Sequence, residues 1–367
     1  MPIYVEAKGI GFDGNPLFSH AYLVYVPIGQ ENNYAVWRTI GAYPTEAEEA
    51  LDFFGSNTSL NAEFIDDPLS AERSKDAWNI GVFDGSDVSQ VADDLDKAEA
   101  DVTVAEMVSA GYGGDGGSAA ISRSRTLVYE GADEAAAWAS MIVTASDLSN
   151  QYTYRVVDLD GGDWTMFGPT VNSNSFIASV LRHEENASNG RQMLAFGTRD
   201  TEPGEQTWLG LTGADRLDQT VGSAAVPPTR DLFGGGGADT LLGGDDGAES
   251  NPIYLVAEDD LDQDSIVGGS GHDILVGYYN QNELSQSDIL LGGSGNDSMF
   301  VVDPDIARPG GIPDPESDPP LSGGRDFAHE GTVSGIGGLV DGGAGADLLS
   351  FRYIAGSVLN RPGFAGG

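Results

Sequence analysis

The chain has no cysteine, and only three of its 367 residues are lysines: Lys8, Lys75 and Lys97. The first absence excludes disulfides, thiolate metal sites and a cysteine nucleophile together. Stability outside a cell would then need another cross-link, and bound metal ions could supply it. The second belongs to a wider shortage of positive charge: 17 basic residues face 58 acidic ones, a formal net charge of -41. Nucleic acid and anionic membrane surfaces both require a cationic footprint, so neither is an expected partner. Such a chain repels itself unless cations neutralise it. Long apolar runs are also missing, and no window reaches the roughly 18 residues of a membrane span. The opening MPIYVEAKGIGF lacks the basic segment and apolar run of a cleavable secretory signal. Apolar residues still make up 40% of the chain, enough for two or three domains with a real core.

Glycine is plentiful, and it is ordered. GGGGADTLL from Gly234, GGSGHDILV from Gly268, GGSGNDSMF from Gly292 and GGAGADLLS from Gly342 share the pattern G-G-x-G-x-D-x-U-x, where U is apolar. Asp239, Asp273, Asp297 and Asp347 hold the sixth place. Weaker turns, DDLDQDSIV from Asp259 and ELSQSDILL from Glu283, keep Asp264 and Asp288 in that place. Glycines permit tight left-handed turns and leave carbonyls uncovered, while the aspartate adds a carboxylate: hard oxygen ligands of the kind calcium takes. The candidate ligands are Gly234, Gly235, Gly237 and Asp239; Gly243 and Asp245; Asp262 and Asp264; Gly268, Gly269, Gly271 and Asp273; Asp288; Gly292, Gly293, Gly295 and Asp297; and Gly342, Gly345 and Asp347. The eighth-place residues Leu241, Ile266, Leu275, Leu290, Met299 and Leu349 are expected to point inward from short strands, which a flexible linker would not maintain.

These motifs resemble the RTX, or haemolysin-type calcium-binding, repeat family. The resemblance implies a parallel β-roll, two nonapeptides to a coil, with calcium between successive rungs. Spacing then sorts the aspartates into two ladders, Asp239, Asp264 and Asp288 on one edge, and Asp245, Asp273 and Asp297 on the other. From Asp231 to Ser350 there are 23 acidic and two basic residues, so folding there should depend on calcium. The resemblance further implies secretion from a bacterium through type I secretion machinery, which accounts for the missing signal peptide. His272 and His329 read as loop-surface residues.

Residues 1–200 have another pattern. HAYLVYVPI from His20 and YAVWRTIGAYP from Tyr34 read as a β-hairpin, and Thr45 with Glu48 as a capping box opening a helix. A core helix is expected to bury Trp138, Met141, Ile142, Ala145 and Leu148. YTYRVVDL from Tyr152 reads as a strand, GYGGDGGS from Gly111 as a loop, and SNSFIASVLRHEE from Ser173 as a second helix. SHAYLVY, GAYP and NSNSF together resemble permuted NlpC-like, papain-like domains. That resemblance implies His20 as general base and Ser173 in the nucleophile's place, with Ser175 as fallback, acting on an amide or ester. Serine stands here where the family has cysteine, a weaker nucleophile. NSNS is equally a good helix N-cap, and His20 equally a structural strand residue.

The expected layout is an α+β domain over 1–200, a linker or β-roll cap over 201–230, and a calcium-binding β-roll over 231–350 interrupted at 302–333. A tail follows over 351–367 and reads as cut from a longer protein. Two functions are open: a secreted calcium-loaded effector with hydrolase or acyl-transfer activity, and a non-catalytic extracellular binding or adhesion module stiffened by calcium. The target molecule is not legible in either.

Overall fold

Alternation of apolar and polar residues at the start of the chain produces an antiparallel sheet. Its strands are β1 (Pro2–Phe12), β2 (Asn15–Tyr25), β3 (Arg38–Pro44), β4 (Leu60–Pro68) and β5 (Arg123–Glu130), in the order β4-β3-β2-β1-β5. The expected hairpin is present as β2 and β3, with Leu23 opposite Ile40. Its first strand is shifted toward the N-terminus, because Pro27 has no N–H to give a ladder and its carbonyl instead accepts from Gln30 N at 3.1 Å. Period-2 geometry sends Ala21 and Leu23 to one face of the sheet and His20, Tyr22 and Val24 to the other.

The computed structural model describes residues 2–12, 15–30, 33–44, 59–69, 71, 123–152, 171–187, 206–220, 230–245, 252–257, 262–278, 287–302, 326–329, 332–334 and 339–350. The helix expected at Thr45, the loop at Gly111, most of the strand from Tyr152 and the tail from residue 351 lie outside the described residues.

Two helices pack on the face that carries Ala21 and Leu23: α1 (Glu134–Leu148) and α2 (Ser173–Ala187). Helix α1 buries Ala137, Trp138, Met141, Ala145 and Leu148, with Ile142 at the margin. Trp138 stacks on Tyr25 with ring centroids 5.3 Å apart, and its indole N–H donates to Asp66 Oδ1 at 2.8 Å.

The rest of the described chain runs back and forth between two further sheets. Strands β6 (Thr207–Leu209), β8 (Asp231–Phe233), β10 (Ile253–Val256), β12 (Asp273–Tyr278), β14 (Ser298–Val302) and β18 (Asp347–Ser350) pair in parallel in one. Strands β7 (Arg216–Asp218), β9 (Thr240–Leu242), β11 (Ser265–Ser270), β13 (Ile289–Ser294) and β17 (Leu339–Asp341) pair in parallel in the other. Parallel neighbours need a crossover, and here the crossover of each sheet is a strand of its partner. The fold is thus mixed and sheet-rich, with one antiparallel and two largely parallel sheets.

Two stretches read differently from sequence contribute strands. Residues 201–230, expected to be linker or cap, supply β6 and β7. The interruption at 302–333 is not solely an excursion: β15 (Asp326–His329) and β16 (Thr332–Ser334) pair antiparallel with β18 and β17 at the far edges of the two parallel sheets.

All six expected inward residues, Leu241, Ile266, Leu275, Leu290, Met299 and Leu349, lie in one buried cluster between the parallel sheets, with Trp208, Leu232 and Leu255. The neighbouring positions Leu209, Phe233, Val256, Val276 and Phe300 point the opposite way and join the core of α1, α2 and the antiparallel sheet. Helix α2 also covers the open edge of β6. Leu209 N donates to Ser179 Oγ (2.8 Å), Arg182 Nη1 donates to Thr207 O (2.7 Å), and His183 Nε2 lies 2.7 Å from Leu209 O. An exposed strand edge is thereby closed by side chains.

Candidate metal centre

The sixth-place aspartates are buried, although charged groups are seldom buried without a partner. Asp239, Asp264, Asp273, Asp288, Asp297 and Asp347 are each at most 3% exposed. They stand in two files, one at each edge where the chain passes between the parallel sheets. In the first, Asp215 N donates to Asp239 Oδ1 (2.7 Å), Asp239 N to Asp264 Oδ1 (2.7 Å) and Asp264 N to Asp288 Oδ1 (2.9 Å). In the second, Asp273 N donates to Asp297 Oδ1 and Asp297 N to Asp347 Oδ1, both at 3.0 Å. Each Oδ1 therefore holds the turn before it, and the rungs are 24, 25, 24, 24 and 50 residues apart.

Asp245 does not belong to the second file. It occupies the third place of its turn, where its Oδ1 accepts from Ser270 Oγ at 2.7 Å, and the sixth place there is Ala248. Asp262 is exposed beside the first file. Asp215 was not singled out from sequence, yet GLTGADRLD from Gly210 holds glycine in the first and fourth places, aspartate in the sixth and buried Leu217 in the eighth. The signal was present and lacked only the second glycine.

Glycine is needed at two kinds of place. The second and fourth positions are left-handed, as at Gly293 (φ +102°) and Gly295 (φ +135°). The first position is crowded instead of twisted. A Cβ on Gly292 would stand 2.5 Å from Asp297 Oδ2 and 2.7 Å from Gly342 O, and one on Gly268 would stand 2.6 Å from Asp273 Oδ2 and closer still to Gly292 O. A carboxylate oxygen of one turn and a carbonyl oxygen of the next converge beside each of these glycines.

Oδ2 of Asp297 and of Asp347 is buried and accepts no hydrogen bond. Burial raises the Asp297 pKa to about 6; the bond from Asp273 N opposes this and repulsion from Asp347 adds to it. These orphaned oxygens, with glycine carbonyls beside them, fit a hard cation that takes mixed carboxylate and carbonyl ligands. Among the described residues no three acidic or imidazole side chains gather in one cluster, so backbone oxygens would have to supply most of any coordination shell.

The expected catalytic residues are not assembled. His20 is buried among the rings of Tyr43 (4.4 Å) and Tyr22 (5.8 Å), on the sheet face turned away from the α2 side. Ser175 Oγ accepts from Asn172 N (2.7 Å) and donates to Asn172 O (2.8 Å), while Asn172 Oδ1 accepts from Asn174 N and Ser175 N. That reciprocal arrangement is a helix cap, the structural role that NSNS also allowed. Ser173 is buried in the first turn of α2.

Among the described residues, no helix is long and apolar enough to cross a membrane. Comparison of the chain with protein-family models, with curated proteins and with solved structures found no match.

Proposed function

We propose that the parallel sheets are a calcium-binding β-roll of RTX-like repeats, in a secreted protein whose N-terminal unit is a non-catalytic binding or adhesion module. The convergence of a buried, unbonded carboxylate oxygen and a glycine carbonyl beside Gly292 is the observation that carries the reading. Calcium, when bound, would neutralise the stacked carboxylates and cross-link turns that have no cysteine to join them. Asp297 supplies an oxygen held in place by its own Oδ1 bond to the turn before, and Gly292 and Gly342 supply carbonyls that no side chain covers. Export by type I secretion machinery belongs to the same reading, since folding would await calcium outside the cell.

The antiparallel sheet with its helix opening at Ser173 is the scaffold that the papain-like resemblance implies, used here without that family's chemistry. An acyl transfer through His20 and Ser173 needs both groups on one side of the sheet, and His20 faces away from α2. The loaded end stiffens the molecule while the N-terminal unit presents the surface for the target.

The test is circular dichroism and thermal melting of the whole chain in calcium and in a calcium chelator. A large rise in Tm with calcium is expected, since a ligand that binds only the folded state stabilises it by mass action. Identical melting in both would overturn the calcium reading. Turnover of amide or ester substrates that disappears in Ser173→Ala would overturn the non-catalytic one.

A further inference from the structure

Five strands of one parallel sheet, β6, β8, β10, β12 and β14, each turn a residue away from the cluster between the sheets: Leu209, Phe233, Val256, Val276 and Phe300. All five are at most 3% exposed, in the same core as Leu23, Ile40, Met141 and Phe176 of the N-terminal unit. Val276 and Phe300 hold the ninth place of their repeats, one past the inward Leu275 and Met299. The ninth-place residues of the facing sheet, Leu242, Val267 and Leu291, are only half-buried. One outer face of the stack is therefore built to be covered, and the N-terminal unit covers it.

Helix α2 bridges the two. Phe176, Ile177, Val180 and Leu181 lie in the shared core. Ser179, Arg182 and His183, three and four residues apart and so neighbours on the helix surface, engage the backbone of Thr207 and Leu209 in β6. All three are buried, and buried polar groups are costly without their partners, so α2 depends on β6 as much as β6 on α2. The first turn is gripped from the same side. Tyr152 donates to Gly210 O (2.8 Å) and meets Phe233 edge to face with ring centroids 6.3 Å apart, while Asp147 of α1 accepts from Thr212 N (2.9 Å) and Thr212 Oγ1 (2.7 Å). From β6 the parallel pairing runs without a break through β8, β10 and β12 to β14.

We infer that calcium controls the order of the N-terminal unit: ions bound at the turns hold β6 to β14 together, and these strands, through α2 and the shared core, hold the antiparallel sheet. Loss of the strands would expose apolar surface on both sides of that core and leave the polar side chains of α2 without acceptors and donors. The surface offered to a target is then complete only where calcium is plentiful. The inference rests on the calcium reading and extends it from the roll to the N-terminal unit.

Hydrogen exchange of the whole chain, followed segment by segment in about 1 mM free calcium, a level suited to extracellular modules, and in chelator, tests the coupling. Amides of β2, β3 and α2 should slow in calcium together with those of β12 and β14, by roughly tenfold or more, since an ion that binds only the folded state stabilises whatever unfolds with its site. In saturating calcium, Leu290→Ala, placed between the parallel sheets, should speed exchange in β2, β3 and α2 as well as in the roll, with Leu290→Val as the milder variant if the alanine chain does not fold. Roll amides that respond while β2, β3 and α2 stay unchanged, in either experiment, overturn the coupling and leave the calcium reading standing. No response to calcium in any segment overturns the calcium reading and with it the control inferred from it.

Discussion

Asp273 and Asp297 are 24 residues apart in the chain, and the backbone N–H of the first donates to Oδ1 of the second at 3.0 Å. The sixth-place aspartate thus has two separable duties. One oxygen ties its turn to the turn before, and the other faces the first-place glycine of its own turn. A neutral asparagine keeps the first duty, because its carbonyl oxygen still accepts, and gives up most of the second.

The left-handed glycines should be far less tolerant than an open one. In Gly295→Ala the new Cβ would collide with Gly271 O at φ +135°, so stability should fall by at least the roughly 1–2 kcal/mol of a left-handed residue. At Gly213 a Cβ meets nothing within 4 Å, and Gly213→Ala should stay within about 0.5 kcal/mol. Thermal melting of both variants at one calcium concentration checks the contrast.

Leu290 is 1% exposed between the parallel sheets. Leu290→Ala should cost about 2–5 kcal/mol through lost burial and the cavity left behind. Chemical denaturation of the calcium-loaded chain measures it, and Val143→Ala, at a side chain 68% exposed, provides the near-neutral comparison.

Ser179→Ala removes the acceptor for Leu209 N at the edge of β6 and should cost about 1–3 kcal/mol, since a buried donor is left without a partner. Ser179→Thr keeps a hydroxyl and should recover part of that loss. Hydrogen exchange at Leu209 is the direct readout, with faster exchange expected in the alanine variant than in the threonine one.

Two groups give opposite pH dependence. Burial lowers the His183 pKa below its ordinary 6.5, the largest influence there, although the bond to Leu209 O opposes it. The folded state therefore prefers the neutral ring, and stability is lost as pH falls below about 6.5. Burial raises Asp231 from 3.8 to about 7, partly offset by Arg230 and by the bond from Tyr254 N. Its contribution is present below the unfolded value near 3.8 and is lost as pH rises through about 7. Asp231→Asn should flatten the loss between about pH 4 and 7, and His183→Gln should flatten the decline on the acid side of 6.5. Denaturation midpoints across pH 4–8 at one saturating calcium concentration, for the unaltered chain and both variants, separate the two.

Legibility followed the range of the forces involved. The helix over Glu134–Leu148 and the inward row from Leu241 to Leu349 were readable because burial repeats at the period of the element that carries it. Asp215 was overlooked because its turn has one glycine fewer, and the second glycine is dispensable where Tyr152 and Asp147 hold the loop from outside. The antiparallel edges at Asp326–His329 and Thr332–Ser334 depended on pairing with β18 and β17, which local pattern does not encode.

The NSNSF element shows the same boundary from the chemical side. Asn172 and Ser175 could cap a helix or open a catalytic one, and residue types alone allow both. Period-2 alternation along β2 decided the matter, by placing His20 with Tyr22 and Tyr43 on one face and leaving Ala21 and Leu23 to meet α2 on the other.

Spacing in the chain by itself determined that aspartates would stack at intervals of about one coil, because each nine-residue unit repeats the same turn and the same inward residue. It could not determine which stacked carboxylates would retain an unbonded oxygen. That depends on whether the next turn offers a bare glycine carbonyl, as Gly342 does above Asp297, or whether a backbone N–H such as that of Tyr278 reaches the carboxylate first. Only the packing of one coil on the next decides between them, since both outcomes begin from the same aspartate in the same place of the repeat.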